Sequence, residues 1–444
     1  MIFEERTLGN VTFRNRILRS SVGGRMCAYD GTVTDVWRNF ELKFARGGVG
    51  GIISTTFSTN PRRQSPLEYP TISDKKYVRP LKVAIDAIKG EGCRYIVQIG
   101  DPGAATQLSL FPEREDELSS SNGFEPLYGY GSFRREMSAQ QISKAIFDFE
   151  IAAARVQDAG ADGVEITAEK GYLIHQFLNP GMNRRKDDWG GSPERRFRLL
   201  EEIVKAVRSR VGREYLVGVR IAAADFNYLP YLNFAFRVPW VWPLRHHFLG
   251  NSVETTMRYG LRLKELGVDY LHVVNGYGFP NPKGNPGSFP LEEVKLFCNA
   301  TRHLSWKAAI RAALLNLVPN WIARPIFGLG WSYKEGISLN DALQFRAGTG
   351  LPVITNGGYQ MRPGMEAALQ RGCDFVSMAR ALIATPDLVD RFKQGLDKPE
   401  APCTFCNRCC ARTATSPLGC YELARFKGSE EDMYRQIMEL NTPR

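Results

Sequence analysis

Residues 159–166 read Ala-Gly-Ala-Asp-Gly-Val-Glu-Ile, a helical pattern that ends in glycine and leads at once into a short apolar, β-branched run. Glycine after a helix end adopts the left-handed cap conformation, and the apolar run that follows is typical of a buried parallel strand. The same phrase recurs four times, beginning at Ala45, Glu91, Leu266 and Arg371. The repetition predicts a unit of helix, glycine turn and strand.

Three further apolar segments complete a regular series: Arg16–Val22, Tyr215–Ile221 and Pro352–Thr355. The chain then contains eight candidate strands, each followed by a helical pattern. Eight parallel strands alternating with helices favour an α/β fold of the (β/α)8 TIM-barrel type, with its chemistry at the carboxyl ends of the strands. An open doubly wound sheet is the alternative, but no Gly-x-Gly-x-x-Gly motif follows the first strand.

Composition narrows the class of protein. The chain has 444 residues, of which 43% are hydrophobic, and a barrel with insertions can reach this length. The sequence contains no apolar run of about 18 residues, so it predicts no membrane span, and its amino terminus lacks a signal-peptide pattern. We therefore expect a cytoplasmic protein. The net charge of +11 indicates either an anionic ligand or a generally basic surface. The sequence has no basic block interleaved with aromatic residues, so it does not predict nucleic-acid binding.

Two stretches interrupt the repeat, at about 227–252 after the fifth strand and at about 303–335 after the sixth. The first is rich in aromatic residues. The second begins with a helical apolar stripe, and we expect Pro319 and Pro325 to end that helix. Both insertions follow strand carboxyl ends and predict a lid over an apolar substrate, a contact in a homo-oligomer, or shallow membrane association. The stripe consists of Trp306, Ile310, Ala313, Leu314 and Leu317.

Polar residues stand where several predicted strands end. Backbone N–H groups at Gly357 and Gly358, together with the Arg380 guanidinium, can form a phosphate site between strands seven and eight. The amide of Gln98 and the cation of Arg220 can hydrogen-bond the uracil-like edge of a flavin. A cation in that place would stabilise the anionic reduced flavin.

A cysteine cluster lies near the carboxyl terminus, where five of the nine cysteines fall within eighteen positions. Four thiolates in one short loop can close around an iron–sulfur cluster or a zinc ion. One tight cluster beside isolated cysteines suits a reducing compartment better than a disulfide framework. The five residues are Cys403, Cys406, Cys409, Cys410 and Cys420.

The block at residues 171–192 carries a specific resemblance. It reads Gly-Tyr-Leu-Ile-His-Gln-Phe-Leu-Asn-Pro-Gly-Met-Asn-Arg-Arg-Lys-Asp-Asp-Trp-Gly-Gly-Ser and resembles the Old Yellow Enzyme family of FMN oxidoreductases. The branch that contains 2,4-dienoyl-CoA reductase and trimethylamine dehydrogenase is the more similar one. The resemblance spans roughly residues 1–425 and is supported by Asn15-Arg-Ile and by the strand-end residues. It implies a TIM barrel, bound FMN, and hydride transfer from NAD(P)H to an electron-poor alkene.

The resemblance also assigns roles to individual residues. Tyr172 matches the proton donor of the family, with a packed strand-end aromatic as the alternative. Thr167 and Lys170 stand where many members carry a histidine pair, and Lys170 either polarises a substrate oxygen or is a solvated rim lysine. Gly23 replaces a threonine or cysteine near flavin N5. The implied FMN contacts are Ser21, Val22, Gly23, Gln98, Arg220, Asn356, Gly357, Gly358, Ala379 and Arg380.

In that branch a Cys-x2-Cys-Asn motif holds a [4Fe–4S] cluster, and Cys403, Cys406 and Asn407 match it. The resemblance implies Cys420 as the fourth ligand and leaves Cys409 and Cys410 open as the third. A structural zinc ion and an empty site are the alternatives. We therefore expect an FMN barrel over residues 1–400 and a cysteine-cluster extension over 401–444. The FAD- and NAD-binding domains of the large relatives have no counterpart, so electrons come from NAD(P)H or from a redox partner protein.

The expected reaction is reduction of the activated C=C bond of an apolar unsaturated carbonyl or enoyl compound, either free or CoA-linked. One alternative on the same scaffold is oxidation of an amine or similar substrate, with electrons passed through the cluster to a partner. A second alternative is a metal-stapled barrel that binds without catalysis.

Overall fold

A closed eight-stranded parallel barrel forms the centre of the computed structural model, which describes residues 1–60, 68–105, 118–124, 133–227, 249–304 and 306–439. Each barrel strand pairs with the next one along the chain, and the eighth pairs with the first. The predicted (β/α)8 fold is therefore confirmed. The strands, numbered in this order below, are Ile17–Arg19, Gly51–Ile53, Arg94–Gly100, Gly163–Ala168, Leu216–Ala222, Tyr270–Val274, Val353–Thr355 and Phe375–Met378.

Helices cover the outside of the barrel, and several begin at polar caps that the sequence supplies. Ser138 and Gln141 form a capping box, and Ser192 caps a helix that opens with Pro193. The helices that follow the first five strands are Asp35–Arg46, Val78–Gly90, Ala139–Asp158, Leu173–Leu178, Pro193–Val211 and Val253–Glu265. Those that follow the last three are Leu291–Thr301, Trp306–Leu317, Asn320–Phe327, Leu339–Thr349, Arg362–Gln370, Arg380–Ala384, Leu388–Lys393, Arg408–Ala411 and Glu430–Met438.

Short strands outside the barrel close its amino-terminal end, and others lie around its rim. An antiparallel hairpin of Arg6–Leu8 and Val11–Phe13 contributes Leu8, Val11 and Phe13 to an apolar cluster inside the barrel. The barrel side of this cluster includes Leu216, Tyr270 and Phe375, the first residues of their strands. The apolar fill at this end leaves the carboxyl ends of the strands for polar groups. The remaining strands are Phe57–Ser58, Leu118–Ser119, Gly123–Phe124 and Phe133–Glu136.

The second insertion differs in detail from its prediction. The helix Trp306–Leu317 ends before Pro319, as expected, but Pro325 lies inside a second helix, Asn320–Phe327. Pro325 is the sixth residue of this short helix, and its missing N–H removes one hydrogen bond from it. Most of the first insertion, residues 228–248, lies outside the described residues. Across the described ranges, no helix combines the length and apolar character that membrane crossing requires.

Gly218 in strand five tests the packing inside the barrel. A Cβ at this position would overlap the Tyr270 ring, which is held in place because its hydroxyl donates to Glu165 Oε2 at 3.2 Å. We expect Gly218→Ala to lower the free energy of unfolding by about 1–3 kcal/mol, measured by chemical denaturation. The control Gly90→Ala adds a Cβ with no atom within 4 Å and is expected to change stability by less than about 0.5 kcal/mol. Equal stability of the two variants would contradict this packing.

Candidate active site at the carboxyl ends of the strands

A buried carboxylate organises the interior of the barrel. Glu165 in strand four accepts hydrogen bonds from Gln98 Nε2 at 2.7 Å and from the Tyr270 hydroxyl at 3.2 Å, and its Oε2 lies 3.1 Å from His272 Nδ1. Burial lowers the pKa of His272, so the neutral ring donates from Nδ1 to the carboxylate. Burial alone would raise the pKa of Glu165, but His272, Arg220 and Gln98 outweigh it and hold that pKa below its usual range. The network therefore contains an ionised Glu165.

The network fixes the orientation of Gln98. Because Gln98 Nε2 donates to Glu165, its Oε1 faces the rim, where it accepts hydrogen bonds from Ser21 Oγ at 2.9 Å and from Thr56 Oγ1. Next to Ser21, the Val22 carbonyl accepts a hydrogen bond from Thr55 Oγ1 at 2.9 Å. The end of strand one and the end of strand three are thus joined, and they bring Ser21, Val22 and Gln98 to one side of the barrel mouth.

Three cations and one carboxylate gather beside this side of the mouth. Burial lowers the pKa of Lys170, and Arg220 and Arg380 lower it further, while Glu169 opposes them. Arg220 is only 6% exposed, and its Nε lies 3.4 Å from Glu169 Oε1 without a hydrogen bond. Excess positive charge in a buried place is costly, and an anionic ligand would compensate it.

Several buried polar atoms at the same place have no hydrogen-bond partner among the residues that the structure describes. They are Thr167 Oγ1, Glu169 Oε2 and Arg220 Nε. Leaving such a group unpaired costs about 1–3 kcal/mol, more when it is charged. Thr167 and Arg220 are register partners on adjacent strands, so their unpaired atoms belong to one locality. This set of donors and acceptors matches the needs of a bound polar and anionic group such as FMN.

Tyr172 is positioned by a hydrogen-bonded turn. His175 Nδ1 accepts from the Gly171 N–H at 3.0 Å, and its Nε2 lies 2.9 Å from Asp225 Oδ1. Gly171 has a φ of +77°, a conformation that favours glycine, and it lies against the Tyr277 ring. Tyr172 follows at the start of the helix Leu173–Leu178 and is half-buried. His175 therefore has a positioning role behind the tyrosine.

Tyr69 is a site residue that sequence reasoning missed. Its ring carbons lie 2.6 and 2.7 Å from the point that a Gly23 Cβ would occupy, so glycine at 23 makes room for this ring. Burial raises the pKa of Tyr69, and the neighbouring Tyr172 phenol raises it further. Tyr69 therefore shares the environment of Tyr172. No motif surrounds Tyr69 in the sequence, and the unusual glycine at 23 was its only signal.

The ends of strands seven and eight bring together the predicted phosphate residues. Gly357 and Gly358 have φ angles of +107° and +84°, and the Gly358 carbonyl accepts a hydrogen bond from the Tyr333 hydroxyl at 3.0 Å. Asn356 is half-buried beside them, and Ala379 precedes the helix Arg380–Ala384. Arg380 Nη1 donates to the Pro286 carbonyl at 2.7 Å and to Asn407 Oδ1.

Four of the five clustered cysteines line one small cavity. Cys410 is outside this lining; its thiol interacts with that of Cys409, and Arg380 and Lys170 lie near it. Burial raises the pKa of the Cys406 thiol to about 11 and also raises those of Cys403 and Cys420. Among the residues that the structure describes, no group of three or more His, Cys, Asp or Glu side chains is placed to hold a single metal ion. The lining cysteines are Cys403, Cys406, Cys409 and Cys420.

The cysteine loop is attached to the barrel through Arg380. Its guanidinium lies 4.8 Å from the centre of the Phe405 ring, which also stacks on Tyr333 at 4.5 Å. Asn407, whose Oδ1 accepts from Arg380, donates from Nδ2 to the Asn285 and Ser288 carbonyls at 3.2 and 3.0 Å. The arginine predicted to bind phosphate is thus in contact with the cysteine loop as well.

Known proteins share this architecture. An NADH oxidase of Thermoanaerobacter brockii is 26% identical over 411 residues, which cover 92% of this chain and 53% of that protein. This chain therefore spans about half the length of that relative. A 4,4'-dithiodibutanoate disulfide reductase of Rhodococcus erythropolis is 26% identical over 408 residues, which cover 92% of each protein. The solved complex of 2-naphthoyl-CoA reductase with 2-naphthoyl-CoA has a TM-score of 0.74 at 22% identity, covering 97% of this chain and 58% of that one.

A family model covers the barrel's first half. Residues 1–229 match the NADH:flavin oxidoreductase / NADH oxidase family, and this match extends over just over half of the 444 residues. It includes Gln98, Arg220 and the block at 171–192, on which the resemblance to the Old Yellow Enzyme family was based. That resemblance is confirmed, and the chain belongs to the NADH:flavin oxidoreductase / NADH oxidase family of FMN oxidoreductases.

Proposed function

We propose that this protein is an FMN-dependent oxidoreductase that uses NAD(P)H to reduce the activated C=C bond of an apolar unsaturated carbonyl or enoyl compound. The observation that carries the proposal is the cationic, hydrogen-bond-deficient rim formed by Thr167, Glu169, Lys170 and Arg220. A buried rim of this kind suits an anionic, polar cofactor next to an apolar barrel. Family membership supports the same conclusion.

The residues that would hold FMN come from the ends of strands one, three, five, seven and eight. Gln98, which is fixed from below by Glu165, and Arg220, whose Nε has no hydrogen bond among the described residues, would bind the polar edge of the ring system. Arg380 and the Gly357–Gly358 turn would bind the phosphate, and Ser21 with Val22 would line the remaining wall. When bound, FMN supplies the hydride that the alkene receives.

Tyr172 would donate the proton from its hydroxyl to the substrate carbon opposite the hydride. The hydrogen bond from the Gly171 N–H to His175 holds the turn from which the Tyr172 side chain leaves. Lys170, a half-buried cation 3.3 Å from Asn285 Oδ1, would orient the electron-withdrawing oxygen together with Thr167. Tyr69, packed on Gly23, would form the wall of the site beside Tyr172.

The 2-naphthoyl-CoA reductase supports a CoA-linked, apolar substrate, because that structure is a complex with 2-naphthoyl-CoA and its fold matches over most of this chain. The disulfide reductase supports a second candidate, an organic disulfide as electron acceptor, because it matches this chain over 92% of both proteins. Parallel NAD(P)H oxidation assays with an α,β-unsaturated ketone, an aromatic acyl-CoA and 4,4'-dithiodibutanoate separate the two candidates.

The cysteine cavity supports an iron–sulfur cluster. Four thiols line it, which is the ligand number of a [4Fe–4S] cluster. A structural zinc ion, which also takes four ligands, is the alternative. Such a cluster would carry electrons between the flavin and a redox partner protein.

Tyr172→Phe is expected to slow alkene reduction about 100-fold or more, because it removes the general acid but keeps the ring. Flavin reduction by NAD(P)H does not use the phenol and should change little. Stopped-flow absorbance separates the two half-reactions. Tyr215→Phe is the matched control, since its hydroxyl donates to the Ala161 carbonyl at the opposite end of the barrel. Equal slowing of both half-reactions by Tyr172→Phe would refute the assigned role.

Arg220→Met is expected to weaken FMN binding about 10–100-fold, because a charged, buried hydrogen-bond donor is lost. Fluorescence titration of the apoprotein with FMN measures the change. Arg94→Met is the control, because this arginine lies at the start of strand three and bonds the Thr12 carbonyl away from the mouth. Unchanged FMN affinity in Arg220→Met would exclude the proposed contact.

Alanine variants of the five clustered cysteines test the metal site. Replacing Cys403, Cys406, Cys409 or Cys420 should abolish iron and acid-labile sulfide in anaerobically purified protein, since each supplies one thiolate. Cys410→Ala should keep both, because Cys410 does not line the cavity. Zinc in place of iron, or loss of iron in Cys410→Ala only, would overturn this ligand set.

A further inference from the structure

The helical hairpin formed by Trp306–Leu317 and Asn320–Phe327 has two different faces, and its large apolar side chains lie on the one that faces solvent. Its small residues face the protein, with Ala308, Ala312 and Ala323 at most 2% exposed. Its large apolar side chains face solvent and are 49–76% exposed. These seven residues, here called the apolar ridge, are Trp306, Ile310, Leu314, Leu317, Trp321, Ile326 and, just after the second helix, Leu329.

The ridge is not explained by the folding of the barrel. The hairpin packs against the helix Leu291–Thr301, so its alanines already supply the contact with the rest of the protein. By comparison, the helix Pro193–Val211 buries Phe197, Leu200 and Ile203, as a barrel helix normally does. Contiguous exposed apolar patches of more than a few hundred Å² are rare on soluble monomers and mark interaction surfaces. The ridge therefore requires an external apolar partner.

Charge decides which partner fits. From Arg302 to Lys334 the sequence has five basic residues and no aspartate or glutamate. Arg302, Arg324 and Lys334 are exposed, whereas the Arg311 guanidinium lies over the Phe297 ring. Arg324 is 66% exposed and pairs with Glu292 of the neighbouring helix. Two copies of the ridge meeting about a two-fold axis would bring like charges together, whereas anionic lipid headgroups would neutralise them.

The arrangement of the ridge also suits a lipid surface. Leu317 and Trp321, each 76% exposed, flank the turn between the two helices and so stand at the tip of the hairpin. Tryptophan side chains favour the boundary between headgroups and acyl chains, and interfacial helices combine such residues with lysine and arginine. We propose that the apolar ridge docks this protein on an anionic membrane surface, with the tip of the hairpin inserted below the headgroups.

Vesicle sedimentation of the full-length, FMN-loaded protein tests the proposal. We expect binding to phosphatidylcholine vesicles that contain phosphatidylglycerol, little binding to pure phosphatidylcholine, and weaker binding at high salt. Leu317→Ser and Trp321→Ser should each lower the partition coefficient about tenfold, because each removes one apolar side chain that would be inserted in the membrane. Phe147→Ser is the control, since Phe147 is 55% exposed on the helix Ala139–Asp158. It should bind like the wild type.

Four results would overturn the proposal. They are no binding to either vesicle, equal binding to both, ridge variants that bind like the wild type, and a lipid-free dimer that Leu317→Ser and Trp321→Ser convert to monomer in light scattering. The last result would assign the ridge to a second copy of the chain. Because the substituted side chains are exposed, FMN content and rate of NAD(P)H oxidation should stay unchanged in all variants, which separates this test from that of the catalytic proposal.

Discussion

The ionised carboxylate of Glu165 is the interaction on which the interior of this barrel depends. It lies on strand four, accepts hydrogen bonds from Gln98 on strand three and from Tyr270 on strand six, and binds His272, which reaches Ser377 on strand eight at 3.0 Å. A buried carboxylate is tolerated only when its lone pairs are fully used. The need to satisfy this one charge therefore fixes the rotamers of several inward-facing side chains, and through Gln98 it reaches the rim where the cofactor would bind.

The rim combines residues that the protein holds in place with residues that carry charge. Gln98 is held from below by Glu165, and Tyr172 is held by the turn at Gly171, so neither has to be ordered by a ligand. Lys170 and Arg220, in contrast, share the carboxylate of Glu169, and Arg380 adds a third cation to this group. A site with fixed donors and unbalanced charge stabilises the bound anionic state without reorganisation, which is the usual source of strength in an electrostatic site.

The repeat of helix, glycine and apolar run predicted five of the eight strands, and apolar segments predicted the other three, because each unit of a (β/α)8 barrel has its own local sequence pattern. Polar residues at strand ends, such as Gln98 and Arg220, could also be located from the sequence, since each stands at the end of an apolar run that predicts a strand. Tyr69 could not, because its place at Gly23 depends on a contact across 46 positions of chain with no local pattern. The sequence also could not show whether the apolar stripe that begins at Trp306 faces the protein or solvent. Helical periodicity says which residues share a face, but not what that face contacts.

Arg380 shows why the cysteine loop and the cofactor corner cannot be considered separately. Its guanidinium stacks on Phe405 and binds Asn407, two residues between the clustered cysteines, and it also lines the cysteine cavity. A guanidinium has a rigid fork of donors, so bonds on one side fix the direction of the other. Any rearrangement of the loop that moves Asn407 must then turn the Arg380 guanidinium that binds it. The extension is in this way part of the architecture of the barrel mouth, whatever the cysteine cavity contains.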